Sequence, residues 1–228
     1  MVQKATQVLE NAGTPIPRIH QVVEHIVFAE WIDGNLLTQG KRRATLEQIA
    51  FYQARIHLAD ISTVPMAVGK FVHLEWLLER MKAASRKYVS AELVDELSQS
   101  VIDLVPADLK PGIIQPDFIK SNIVETPNGE LVIVDNEFLG IGLGFEFDIV
   151  NSSRVISECD EGLCRQYLDW YAVMGDCGTL LEHSGFWDIC YLAKLVGKRF
   201  LIGDAEMANV CLELLWTKVR KYADGRSD

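Results

Sequence analysis

Residues 114–137 read Ile-Gln-Pro-Asp-Phe-Ile-Lys-Ser-Asn-Ile-Val-Glu-Thr-Pro-Asn-Gly-Glu-Leu-Val-Ile-Val-Asp-Asn-Glu. Asn128-Gly129 stands between two β-rich runs, 122–126 and 131–134, and is the strongest short-range hairpin signal in the chain. A two-residue loop there sets 127 opposite 130 and 126 opposite 131. Carried outward, this register puts Asn122 directly across from Asp135, with Cβ atoms about 5 Å apart, and Lys120 near Glu137. Asp117 lies in the segment entering the first strand. A bulge beside the turn would shift all of these pairings. Three oxygen-bearing side chains converging at a hairpin mouth can hold a hard metal ion and a base.

The spacing Asp117-x-x-x-x-Asn122, followed by Val134-Asp135 at the end of a second strand, resembles the catalytic-loop Asp and Asn and the metal-binding Asp of kinases. Ile133-Val134-Asp135-Asn136-Glu137 is similar to the Ile-Asp-x-Glu of the aminoglycoside phosphotransferase and choline kinase superfamily. Asp148-Ile149-Val150-Asn151 resembles the Asp-Ile-x-Asn of its choline kinase branch. Upstream, Phe28-Ala29-Glu30-Trp31-Ile32-Asp33-Gly34 looks like the hinge, and Ala54-Arg55-Ile56-His57 like the helix that follows it. The resemblance runs from the first residues to at least Asn151 and is loose over the last third.

This resemblance implies an α+β, protein-kinase-like fold with a mostly helical C-terminal lobe and a catalytic β-hairpin. It implies that Asp117 accepts or orients the proton of a substrate hydroxyl attacking a phosphoryl group. It also implies that Asn122 and Asp135 hold Mg²⁺, and that Glu30, Trp31 and Ile32 line the ATP site. The substrate would be a small molecule bearing a hydroxyl. Residues 1–36 correspond to a remnant of the N-terminal lobe and 37–228 to the C-terminal lobe. Two departures stand out. The family has His-Gly-Asp where this chain has Gln115-Pro116-Asp117, and proline pushes the residue before it toward an extended conformation. The family's N-terminal lobe also supplies a glycine loop and a strand Lys paired with a helix Glu. Here residues 2–12 read as a helix stopped by Gly13 and Pro15, with Gln3 and Lys4 at the positions expected for that Glu. The expectation is either a truncated form of a longer protein or a natural remnant that no longer clamps ATP. A missing lobe would leave surface for self-association.

With 49% apolar residues in 228, the chain can bury a sizeable core. No apolar run approaches the ~20 residues that span a bilayer, and the N-terminus lacks the pattern of a signal peptide. Cys159, Cys164, Cys177, Cys190 and Cys211 are odd in number and irregularly spaced. They read as scattered reduced thiols, consistent with a cytoplasmic setting. A net charge of −10 disfavours a nucleic-acid partner. It would suit a cationic substrate, although solubility alone is the commoner cause of such acidity.

Helical stripes cover 46–59, 72–84, 91–105, 161–174, 185–201 and 205–222, with a further helix starting near Phe147. Gly140, Gly142 and Gly144 punctuate what reads as a loop, equivalent in the family to a flexible activation segment. His57 falls on a buried helix face and suits a hydrogen-bonded core role. His183 has no partner in its sequence context. Trp170, Tyr171, Trp187 and Tyr191 are spaced for helix faces, where core packing is the default and a cation–π pocket the alternative. Ser121, Ser152 and Ser153 lack a base nearby, which argues against a serine hydrolase. Two functional classes remain: the large lobe of an ATP-dependent small-molecule kinase, or a kinase-like protein that binds without transferring phosphate.

Overall fold

The structure, a computed structural model, describes residues 2–23, 26–38, 45–62, 72–135, 139–175 and 177–225. In chain order the elements begin with α1 (Val2–Asn11), β1 (Ile19–Val23), β2 (Ile26–Ala29), β3 (Asn35–Leu36) and α2 (Leu46–His57). They continue with α3 (Val72–Ser85), α4 (Ala91–Asp103), β4 (Pro111–Ile114), a 3₁₀ turn at Lys120–Asn122, β5 (Ile123–Glu125), β6 (Leu131–Ile133) and β7 (Gly140–Leu143). The helices α5 (Phe145–Ile156), α6 (Glu161–Met174), α7 (Gly178–Glu182), α8 (Ser184–Leu201) and α9 (Ala205–Ala223) complete the chain. Small antiparallel sheets among many helices make this an α+β fold.

Two compact units are distinguished: Met1–Gly69 with Pro111–Asp176, and Lys70–Lys110 with Cys177–Asp228. The second is built from α3, α4, α7, α8 and α9. Gly197 of α8 lies against the α3 backbone, where an added Cβ would stand 3.2 Å from Met81 Cα, so the two helices approach closely. Trp187, Phe186, Ile189 and Leu215 are buried in this unit, and Phe186 packs edge-on to Trp187.

The first unit contains all the sheets. Its α2 starts at a capping box in which Thr45 Oγ1 accepts from Gln48 N and Gln48 Oε1 accepts from Thr45 N. The helix then buries Ile49, Ala50, Tyr52, Gln53, Ile56 and His57. β3, β5 and β6 form one sheet, while β4 pairs with β7 and β1 with β2.

The glycine run is therefore a strand and not a loop. Gly142 pairs with Gly112 and Gly140 with Ile114. Glycines are poor strand formers, but here the pairing needs one: a Cβ on Gly112 would lie 2.8 Å from the Phe145 ring. Gly144, at φ +85°, then turns the chain from β7 into α5.

The hairpin register also differs from the expected one. Ile123 pairs with Ile133, Val124 with Val132 and Glu125 with Leu131, around a three-residue loop of Pro127, Asn128 and Gly129. Gly129 N donates to Thr126 O, Thr126 N donates to Glu130 O, and Gly129 takes φ +81°. Proline explains the shift. A two-residue Asn-Gly loop would need an N–H on residue 127 to close it, and Pro127 has none. Its fixed φ instead suits the second position of a type I turn, and Gly129 supplies the left-handed residue that follows. Asn122 consequently faces Val134, whose N–H it accepts at 3.0 Å, and Asp135 sits one residue further along. The direct Asn122–Asp135 pairing is not formed.

Candidate functional site

The segment from Ile114 to Asn122 carries Asp117 out of β4, through a turn and into β5. Phe118 N donates to Gln115 O, Ile119 N to Asp117 O, and Asn122 N to Ile119 O. Local turns of this kind use few ladder bonds, so side chains must fix the segment. They come chiefly from α5.

Asp148, fully buried, accepts the Gln115 backbone N–H through Oδ2 at 2.5 Å. Asn151 Nδ2 donates to Pro116 O at 3.0 Å, and Ser152 Oγ to Phe118 O, also at 3.0 Å. These residues lie at i, i+3 and i+4 and so share one helix face. Each holds the backbone of a residue within two positions of Asp117. Behind them, Gln53 Nε2 donates to Ser152 Oγ at 2.9 Å, and Tyr167 OH to Gln53 Oε1 at 2.7 Å. Burial pushes the Tyr167 hydroxyl well above its ordinary range, so it serves here as a donor.

His57 is part of the same frame. Nδ1 meets Tyr171 OH at 2.9 Å, and Nε2 lies 3.9 Å from Asp148 Oδ2. Burial lowers its pKa to about 3, so at neutral pH the ring is uncharged and the longer contact is not an ion pair. The core role expected of His57 is the one observed.

Gln115 stands where the family has His. Its side chain, 1% exposed, donates from Nε2 to Asp135 O at 3.1 Å. This amide ties the Asp117 segment to the end of the second hairpin strand. Asn122 Nδ2 donates to Asp117 O at 3.1 Å, and Ser121 Oγ donates to Asn122 Oδ1 at 3.2 Å.

Asp117, Asn122 and Asp135 are therefore linked through one hydrogen-bonded frame despite the shifted register. Because its amide nitrogen is committed to Asp117 O, Asn122 presents an oxygen as its remaining polar atom. One amide oxygen and one exposed carboxylate at Asp135 match the hard, oxygen-only donors that Mg²⁺ takes from proteins. Lys120 pairs with Glu158 at 2.6 Å. Asn136 and Glu137 lie outside the described residues.

The hinge segment differs from this site in its surroundings. Glu30 N donates to Arg18 O at 2.8 Å and Glu30 Oε2 accepts from Arg18 N at 3.3 Å, extending the β1–β2 pairing. Trp31 is 89% exposed, and Ile32 is half-buried.

Elsewhere, Tyr171, Trp187 and Tyr191 are buried core residues, whereas Trp170 keeps an exposed face and packs edge-on against Phe51. His183 pairs with Asp108 at 2.9 Å. All five cysteines are free thiols. Among the described residues no helix is long and apolar enough to cross a membrane. A 260 Å³ cleft lined by Phe51, Tyr52, Arg55 and Glu130 sits at the turn end of the hairpin, away from Asp117.

The residues that sequence reasoning missed are Gln53, Tyr167 and the bracing function of Gln115. The available signal was Gln53, a polar residue in the buried stripe of α2, where a buried amide requires a partner.

No protein-family model and no curated protein matches the sequence. Solved structures do match in shape. An ethanolamine kinase of Plasmodium vivax superposes on 95% of this chain and 73% of its own, with TM-score 0.65 and 16% identity. The choline kinase LicA of Streptococcus pneumoniae does so over 97% and 81%, with TM-score 0.61 and 13% identity. An amicoumacin kinase bound to AMP-PNP, Ca²⁺ and its antibiotic covers 98% and 76%, with TM-score 0.62 and 13% identity. Aminoglycoside phosphotransferases match as well. The chain therefore shares the overall fold of these solved small-molecule kinase structures.

Proposed function

We propose that the protein is a phosphotransferase that moves the terminal phosphoryl group of ATP to a hydroxyl of a small molecule. In this reading Asp117 orients the hydroxyl and receives its proton. Asn122 and Asp135 hold Mg²⁺, which when bound neutralises charge on the phosphates. Glu30, Trp31 and Ile32 contact the nucleotide. Residues 1–36 belong to the nucleotide-binding lobe, and 37–228 form the catalytic and substrate-binding lobe. The net charge of −10 favours a cationic acceptor such as an amino alcohol or an aminoglycoside, and reduced thiols suit action in the cytoplasm.

The observation that carries the proposal is the frame around Asp117. Two backbone groups flanking it are held by fully buried side chains of α5. Its own carbonyl is held by Asn122, and Gln115 joins the same segment to Asp135.

Titration with Mg-ATP, followed by thermal shift, should stabilise the protein at millimolar nucleotide. Phosphate transfer to amino alcohols and aminoglycosides should then be measurable, and Asp117→Asn should lower it by about 10²–10⁴-fold with nucleotide binding retained. Equal turnover by that variant would remove Asp117 from its role. Nucleotide binding with no transfer to any acceptor would favour a kinase-like binding protein.

A further inference from the structure

On α9, Met207, Val210, Leu214, Thr217 and Lys221 are all exposed, and the first three are apolar. Their spacing alternates between four and three, which is the seam of a two-helix coiled coil. The opposite face of the helix, with Ala208, Leu212, Leu215 and Val219, is buried. Leu201, the last residue of α8, and Ile202, which follows it, are also exposed. Scattered exposed apolar residues need no explanation, but Met207, Val210 and Leu214 stand in register over two turns.

The charges beside the stripe indicate what covers it. Glu206, Glu213 and Arg220 recur one heptad apart along one flank. Asp204 and Lys218 occupy the other flank and already pair within the chain, with Arg199 at 3.1 Å and Asp188 at 2.9 Å. The acidic residues are concentrated toward the N-terminal end of the helix and the basic ones toward its C-terminal end. When two such helices pack antiparallel, like flanks meet. Glu206 then faces the partner's Arg220, and the partner's Glu206 faces Arg220. Val210 and Leu214 fall near the centre of the seam, where each contacts the other residue's counterpart. The pattern is self-complementary, as a two-fold interface requires.

We propose that α9 is a homodimer interface, formed by antiparallel packing of α9 against α9 of a second copy. The seam is a single helix face, so the dimer is weak and dependent on concentration. Glu213 lies close to the two-fold axis and faces its own copy, which lowers the affinity further. No residue of α9 belongs to the Asp117 frame, so the proposal stands whether or not the protein transfers phosphate.

Sedimentation velocity of the full chain over a concentration series tests it. The wild type should show a monomer–dimer equilibrium that weakens as salt is raised. Leu214→Glu should shift the midpoint at least about tenfold toward monomer, with helicity by circular dichroism unchanged because the site is exposed. Glu206→Arg alone should weaken the dimer, and adding Arg220→Glu should restore it. Glu213→Gln should tighten it. A chain that stays monomeric at every attainable concentration would overturn the proposal. So would a dimer that persists unchanged in Leu214→Glu, which would place the contact on another surface.

Discussion

The backbone around Asp117 and the backbone around Trp31 are held in opposite ways. At Asp117 the chain leaves β4, and its carbonyl and amide groups are taken up by Asp148, Asn151 and Ser152, none of which touches solvent. At Trp31 the chain leaves a two-stranded hairpin with its indole in water. Buried polar networks are rigid when satisfied, because each lost bond strands a desolvated group. Exposed segments carry no such penalty. The loop proposed to perform the chemistry is thus fixed by buried side chains, whereas the segment proposed to meet the nucleotide keeps its indole in water.

The largest expected effect comes from breaking the rigid side. Asp148→Ala removes the acceptor for Gln115 N and leaves that N–H buried. A loss of about 3 kcal/mol is expected, since bonds to charged groups are the costly ones to remove, and chemical denaturation measures it. The same variant should free the Asp117 segment, so transfer activity should fall even where the protein remains folded. A loss below about 0.5 kcal/mol, the range typical of surface changes, would show that the frame is not what holds the loop.

Much of this frame's architecture was readable in advance, and the parts that were not share a cause. The helices announced themselves by apolar periodicity and by breakers such as Gly13 and Pro15. The hairpin was visible in Asn128-Gly129, but its register turned on Pro127, whose missing N–H outweighed the preference of Asn-Gly for a two-residue loop. The strand at Gly140–Leu143 was hidden because glycines read as punctuation, and its justification, the Phe145 ring over Gly112, comes from elsewhere in the chain. The bond from Tyr167 to Gln53 spans 114 residues, and nothing local predicts it. Resemblance located Asp148 and Asn151, but only their partners in the fold show them clamping Gln115 and Pro116.

A smaller effect should appear as a pH dependence of the rigid side. Folding lowers the His57 pKa from 6.5 to about 3 through burial, so the folded protein binds fewer protons here than the unfolded chain. Its contribution to stability is complete above pH 6.5 and declines as pH falls toward about 3. His57→Gln keeps a polar group facing Tyr171 and cannot titrate. Its stability should therefore fall less steeply with acid than that of the wild type, most clearly in the upper part of this window, before most carboxylates protonate. Denaturant midpoints measured against pH provide the comparison, and parallel curves would exclude a buried neutral His57.

The exposed side should give the smallest change in stability and, for that reason, the sharper functional test. Trp31 buries little in the free protein, so Trp31→Ala should alter unfolding free energy by no more than about 0.5 kcal/mol. If the indole stacks on the adenine, the same substitution should weaken Mg-ATP binding by about 1 kcal/mol or more, the scale of an aromatic ring on a base. Calorimetry with nucleotide separates this from a folding defect. A variant with unchanged stability and weakened nucleotide binding would mean that Trp31 is kept exposed for the ligand. Unchanged affinity would detach the hinge from nucleotide recognition and leave the Asp117 frame as the sole support for phosphotransfer.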